Sequence, residues 1–340
     1  MNDTIRGTKS QISSNLTAAE TTYSSNITSY DTDGFTLGTS TDNNGSGQTF
    51  VAWNWKGNTV PTINTDGTNQ SVVSANQAAG VSIVQGTASG GLNTVNSFGH
   101  GLGVKPDLII IKSTSSTDNW YVYNSISGAG KSLYLNDSAA EFSTTNVWAN
   151  TEPTASVFSI KDGQTVSVGA TFISYCFTSI SGFSKIGTYT GNGSSTGPTI
   201  TTGFQPSWIM IKRTQNAASW AIVDAARGGN QELYANLNDA DNTFTAISFL
   251  SDGFQIVNTA NGYNSNGETY IFMAFKENPT PMPLAGNMSF LVVAGGGGGG
   301  FGSGGGGAGA GGLRTSYGGS SGGGSAAESD ITLAAGTYTI

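Results

Sequence analysis

The sequence predicts an all-β protein: tandem β-sandwich, jelly-roll-like repeat units followed by a small glycine-rich β module. Three observations carry this. Only 10% of the 340 residues are charged, against roughly 25% in an ordinary globular chain. Polarity therefore comes from Ser, Thr, Asn and 50 glycines, while 16 Phe, 12 Tyr and 6 Trp supply material for sizeable cores. Turn sequences such as DGF, NNGSG, GNGSSTGP and NSNG recur at intervals of roughly ten residues between short apolar runs, as sandwich strands require.

The third observation is internal repetition, sought before local motifs because it sets the architecture. At an offset of 100, KPDLIIIK (105–112) matches QPSWIMIK (205–212), Trp120 matches Trp220, and SLYLN (132–136) matches ELYAN (232–236). Further on, VFSI (157–160) corresponds to GFQI (253–256) and SYCF (174–177) to FMAF (272–275). A third, incomplete copy lies at the N-terminus: DTIRG (3–7) matches DAARG (224–228), GFTL (34–37) matches GFQI, and FVAW (50–53) is aligned with FMAF. The resulting division is 1–77, an incomplete first unit and linker; 78–180 and 181–280, the second and third units; and 281–340, the glycine-rich module.

Within each unit the elements read as strands. AAGVSIVQG (78–86) and SGFSKIGTYTG (181–191) open the second and third units. LIII and WIMI are short apolar runs before polar turns. TFVAWNW alternates, with Val51, Trp53 and Trp55 on one face and Ala52 and Asn54 on the other. No helix is predicted. Nothing matches residues 201–221 ahead of Asp3, which leaves the first unit without its opening strands and with an unpaired sheet edge. A fragment of a longer protein, or a unit completed by a neighbouring subunit, would account for this.

Composition excludes several function classes. A net charge of −8 with only 13 Lys and Arg argues against a nucleic-acid partner, which would need clustered cations. The longest apolar runs fall far short of the ~20 residues of a membrane span, so no membrane insertion is expected. The start MNDTIRGTKS lacks the apolar core of a secretion signal. A single cysteine, Cys176, rules out an intrachain disulfide and reads as a buried strand thiol.

Several motifs resemble chemistry without its context. GAGKS (128–132) lacks the leading glycine of a phosphate loop, and its repeat counterpart GGNQE has no lysine, so it reads as a turn. GGSSG (318–322) fits a nucleophile elbow but lies in low-complexity sequence. His100, the only histidine, sits between glycines and is expected in a surface turn. The loops DTDG (31–34), TDNNGSG (41–47) and NLNDADN (236–242) could offer oxygen ligands to calcium, but Asx turns serve the same geometry without metal; no metal site, catalytic residue or cofactor is assigned.

Trp120 and Trp220 share a repeat position and are expected to be structural. Trp55, aligned with Ser179 and Glu277, and Trp148, in the longer loop of the middle unit, escape that demand and are the candidate ligand-binding residues.

Residues 1–278, with KPDLIIIK, a Trp about eight residues on, LYLN, an SDGF-type turn and a closing YIFMAF, resemble repeats of structural and fibre-like proteins of marine tailed bacteriophages. The tail, SFLVVAGGGGGGFGSGGGGAGAGG followed by DITLAAGTYTI, resembles glycine-rich modules near the ends of phage tail-fibre and adhesin proteins. The resemblance implies a virion appendage on the particle surface, without cofactor, that attaches to the host. Its implied partners are further copies of itself, as a homotrimer, other virion proteins, and a host surface glycan or protein. A polysaccharide depolymerase and a decoration protein without receptor binding are the alternatives. The brackets SFLVVA and ITLAAGTYTI are both good strands, so the glycine tract between them is expected to be a partly ordered excursion from one small β-domain.

Overall fold

The computed structural model describes residues 1–31, 34–58 and 60–277 in full, and the backbone of 287–288, 291–293, 313–315 and 331–332. It divides into two units, Met1–Glu277 and Asn278–Ile340. The described residues are all-β, every ladder is antiparallel, and helix is confined to the single turns α1 (Thr41–Asn44) and α2 (Asn261–Asn264) and a 3₁₀ turn at Gln77–Ala79.

The N-terminal repeat is built from β1 (Ser10–Gln11), β2 (Thr21–Thr22), β3 (Ile27–Tyr30) and β4 (Phe35–Leu37). The second repeat, from β5 (Thr62–Asn64) to β14 (Thr171–Phe177), forms a two-layer sandwich. Its large sheet runs β12 (Phe142–Ser143), β11 (Lys131–Tyr134), β10 (Tyr121–Asn124), β9 (Leu108–Ser113), β14, β7 (Val81–Thr87), β6 (Ser71–Asn76), β5. Its small sheet is β8 (Val95–Gly99) against β13 (Val157–Lys161). The hairpin β5–β6 comes from residues read as linker, and it extends the sheet past the expected opening strand β7.

The third repeat copies this plan. Its large sheet runs β15 (Ser184–Thr190), β23 (Thr269–Phe275), β17 (Trp208–Arg213), β18 (Ala221–Asp224), β19 (Gln231–Tyr234), β20 (Asn242–Thr243). Its small sheet runs β16 (Thr199–Thr201), β22 (Gly253–Ile256), β21 (Ile247–Leu250). As expected, the opening strands β7 and β15 lie beside the closing strands β14 and β23.

The large-sheet strands are apolar on both faces because both faces are buried. In β9, Ile109 and Ile111 enter the sandwich core of the second repeat, while Leu108 and Ile110 point the other way. In β17, Ile209 and Ile211 face inward and Trp208 and Met210 outward. The outward faces meet in one shared core, to which the N-terminal repeat adds Ile12, Ile5, Trp53 and Trp55. The repeats are therefore not separate domains.

Equivalent hydrogen bonds recur between successive repeats. Trp120 Nε1 donates to the Ser13 carbonyl at 3.0 Å, and Trp220 Nε1 to the Tyr134 carbonyl at 2.8 Å. Glu20 N donates to Thr114 O and Glu141 N to Thr214 O, both at 2.8 Å. A further contact closes the ring. Tyr175 of β14 donates to Asp3 of the first repeat at 2.9 Å, and Trp53 Nε1 of the first repeat donates to Asp224 of the third at 3.2 Å.

These contacts correct the alignment of the first repeat by two residues. With Asn44 in the place of Asn264, and each accepted by the carbonyl four residues before it, residues 49–55 align with 171–177 and 269–275. Trp55 is then the counterpart of Phe177 and Phe275, and the three rings pack together with centroids 5.6 to 6.3 Å apart. A slip of two leaves the buried face unchanged, so alternation alone could not reveal it.

In the unit Asn278–Ile340, β24 (Asn287–Met288) pairs with β27 (Ile331–Thr332), and β25 (Leu291–Val293) with β26 (Leu313–Thr315). The excursion expected at 295–312 and the elbow-like GGSSG lie outside the described residues.

Phe275 is 5% exposed and Trp55 only partly buried. Phe275→Ala should lower stability by about 3–5 kcal/mol, and Trp55→Ala by less, read as denaturant midpoints. Equal midpoints for Phe275→Ala and the parent would show that the triad does not hold the repeats together.

Candidate ligand-binding groove

A concavity of about 560 Å³ lies where the chain crosses from the first repeat to the second. It is lined by Lys56, Gly57 and Asn58 of the crossing segment, Thr62 and Asn64 of β5, Val73, Ala75 and Asn76 of β6, and Gln77 and Gly101 beyond. Side chains clamp the crossing segment to β6. The Ser74 hydroxyl accepts from Asn58 N and donates to Asn58 O, each at 3.0 Å. Asn76 Nδ2 donates to Lys56 O at 3.0 Å, while its Oδ1 accepts from Ala79 N and caps the 3₁₀ turn.

Two glycines shape the wall. A β-carbon on Gly99 would stand 1.6 Å from Asn64 Oδ1, so only glycine lets that amide lie against the strand. Gly101 holds φ +70°, a left-handed conformation that glycine adopts without strain, and its carbonyl accepts from Gln77 Nε2 at 2.9 Å. Asn64 Oδ1 also accepts from Asp66 N at 2.9 Å.

Chemically the lining is amide, hydroxyl and one ammonium over the apolar Val73 and Ala75. Amides donate and accept together, which suits a ligand rich in hydroxyl groups. Among the described residues, the lining holds no carboxylate, thiol or imidazole.

The sequence-predicted residues lie elsewhere. Trp148 is 1% exposed, with its ring 5.7 Å from Tyr123 in the core of the second repeat. Left-handed backbone at Ala149 and Asn150 turns the long loop inward over that core. Trp55 belongs to the aromatic triad and also meets Trp208 edge-on at 5.1 Å. Packing accounts for both rings, and the structure brings neither to the groove. The signal that could have found the groove is the density of Asn and Thr from 54 to 77, which reads as linker until the hairpin is seen.

The other motifs are placed as follows. His100 is fully buried, not in a surface turn: Nδ1 accepts from Leu102 N, Nε2 faces Thr154 O at 3.2 Å, and burial lowers its pKa. GAGKS forms the turn into β11, with Gly128 at φ +74° and Lys131 paired to Glu141 at 2.7 Å. Cys176 is buried on β14, and desolvation pushes its thiol up to about 12. Residues 41–44 of TDNNGSG are the helical turn α1, and part of DTDG lies outside the described residues. Among the described residues, no three His, Cys, Asp or Glu side chains come together as a metal site.

Residues 1–279 match the family described as Domain of unknown function (DUF7483). The chain belongs to DUF7483. The match covers all three repeats and stops where the glycine-rich unit begins, so the ring of repeats is what DUF7483 denotes in this chain. No curated protein and no solved structure matches the chain.

Two buried lysines at one repeat position give this DUF7483 body a pH signature. Lys112 Nζ donates to Ser113 O at 2.8 Å, and Lys212 Nζ to Arg213 O at 2.8 Å and Ser138 O at 3.2 Å. Neither has a carboxylate within ion-pair distance among the described residues. Burial lowers both pKa values from 10.5 to about 8. Between these values the unfolded chain binds more protons, so stability rises with pH. Above about 9 the raised Cys176 pKa begins to oppose this. The Met1 ammonium, lowered by burial from 8.0 to about 6, adds a smaller rise of the same sign. Thermal melts should move upward from pH 8 to 9, and most of the rise should vanish in a Lys112→Met, Lys212→Met double variant. A rise that survives undiminished in the double variant would remove the lysines as its cause.

Proposed function

We propose that the chain is a structural component of a virion appendage, a tail fibre or similar, whose three-repeat body attaches to the host surface through the amide-lined groove. The observation that carries this is the groove itself: a polar concavity of about 560 Å³ set by glycine-fitted amides. Its chemistry fits a hydroxyl-rich surface glycan. The net charge of −8 fits exposure to solvent without a nucleic-acid partner.

The buried carboxylates favour attachment over hydrolysis. Asp3, Asp162, Asp224 and Glu232 all accept hydrogen bonds within the fold, and none lines the groove. Copies assemble with other virion proteins, with the homotrimer as the proposed state. Since one chain already places three repeats around a shared core, association of copies would use other surfaces.

Binding of the labelled full chain to host cells and to host envelope polysaccharide tests the reading. Losing one or two hydrogen bonds at about 1–1.5 kcal/mol each predicts a roughly tenfold weakening in Lys56→Ala, Gln77→Ala, with unchanged circular dichroism. Undiminished binding by that variant would discard the groove, and sustained release of reducing ends would favour the depolymerase.

A further inference from the structure

Residues 49–55 occupy, in the first repeat, the position of the closing strands β14 and β23. Their exposure alternates as a strand's does: Val51, Trp53 and Trp55 are half-buried, and Phe50, Ala52 and Asn54 exposed. Trp53 and Trp55 are fixed against the shared core. β14 pairs with β7 on one side and β9 on the other, and β23 with β15 and β17. Among the described residues, no backbone N–H or C=O of 49–55 takes part in a ladder or a hydrogen bond. The stretch thus has one face anchored and both edges open.

The face above it is equally unfinished. Phe50 is 52% exposed, whereas its counterparts Phe172 and Tyr270 are fully buried. Ile27, Phe35 and Leu37 are half-buried, whereas Ile247, Phe254 and Ile256 at the same positions are core. In the third repeat these positions are covered by Tyr189 of β15, Ile200 of β16, and Ile209 and Ile211 of β17. Among the described residues of 1–60 there is no counterpart of those strands. Ala52 and Asn54 do not forbid closure, because the second repeat closes over Ser174 and Cys176 at the same two positions.

We infer that residues 49–55 are an acceptor strand, and that two antiparallel strands of the repeat's own opening type, donated by polypeptide outside residues 1–340, complete the first repeat by strand addition. The opposite, anchored face of 49–55 belongs to the shared core, so a strand added at its edge extends that core as Val81, Ile83 and Ile186 of the opening strands do in the other repeats. One feature of the donor can be specified. Gly86 of β7 lies opposite Phe172, where a β-carbon would come within 2.6 Å of the ring, and Phe50 occupies the Phe172 position. In the third repeat the same position pairs Tyr270 with Tyr189, but where a closing-strand phenylalanine faces a sandwich core, at Phe172 and Phe272, glycine lies opposite it, so the donor strand carries glycine opposite Phe50.

Hydrogen exchange of the full chain, alone and with peptides of sequence 78–88 and 105–114, tests this. Alone, the amides of 49–55 should exchange far faster than those of β14 and β23. With the peptides they should slow by at least about tenfold. A 78–88 peptide carrying Gly86→Val, and a full chain carrying Phe50→Asp, should each abolish the effect. Slow exchange of 49–55 in the chain alone, no protection from either peptide, or equal protection by the valine peptide would overturn the inference. Protection that rises with protein concentration without peptide and is lost in Phe50→Asp would make a second copy the occupant and overturn the external donor.

Discussion

The structure depends on strands that are buried on both faces. A sandwich ordinarily turns one face of each sheet to water, and its strands then alternate apolar and polar residues. Here the outer faces of the large sheets turn toward one another. β9, β14, β17 and β23 must therefore be apolar at nearly every position, and LIII, WIMI and FISYCF are the result. Because the shared core belongs to no single repeat, each repeat draws part of its burial from the other two. The rings of Trp55, Phe177 and Phe275, one from each, mark where the three meet.

Polar groups that accompany this burial are satisfied locally. Lys112 and Lys212 spend their ammonium protons on backbone carbonyls. Asp3 and Asp224 cap their own turns, accepting from Arg6 N and Arg227 N, before taking a donor from a neighbouring repeat. The middle repeat keeps the turn with Asn124, which accepts from Ser127 N, and at the strand position where the first and second repeats carry the donors Trp53 and Tyr175 the third repeat has Met273, which has no N–H or O–H to give. Replacing a carboxylate by an amide at the site with no donor avoids burying an unpaired charge.

Much of this was legible in the sequence. Period-two alternation, turn spacing and the offset of 100 predict strands, sandwiches and the order of repeats. The opening strands fall where AAGVSIVQG and SGFSKIGTYTG place them. The shared core was not legible, because an apolar run buried by one neighbour looks the same as one buried by two. The same ambiguity misplaced Trp55: a match on FVAW and FMAF preserves the face but shifts the residue, and made a core ring look unconstrained. Trp148 looked free because its loop has no counterpart, yet loops without counterparts can still fold inward. The groove joins a crossing segment to a hairpin across its own sheet edge, a juxtaposition that no local pattern encodes.

The bond from Trp53 to Asp224 spans 171 residues and links the first repeat to the third. During synthesis, the segment carrying Trp53 emerges long before its acceptor. Until the ribosome has delivered the third repeat, Trp53 lacks Trp208 and Trp55 has only Phe177 of the second repeat, without Trp208 or Phe275. Completion of the ring therefore has to wait for the third repeat.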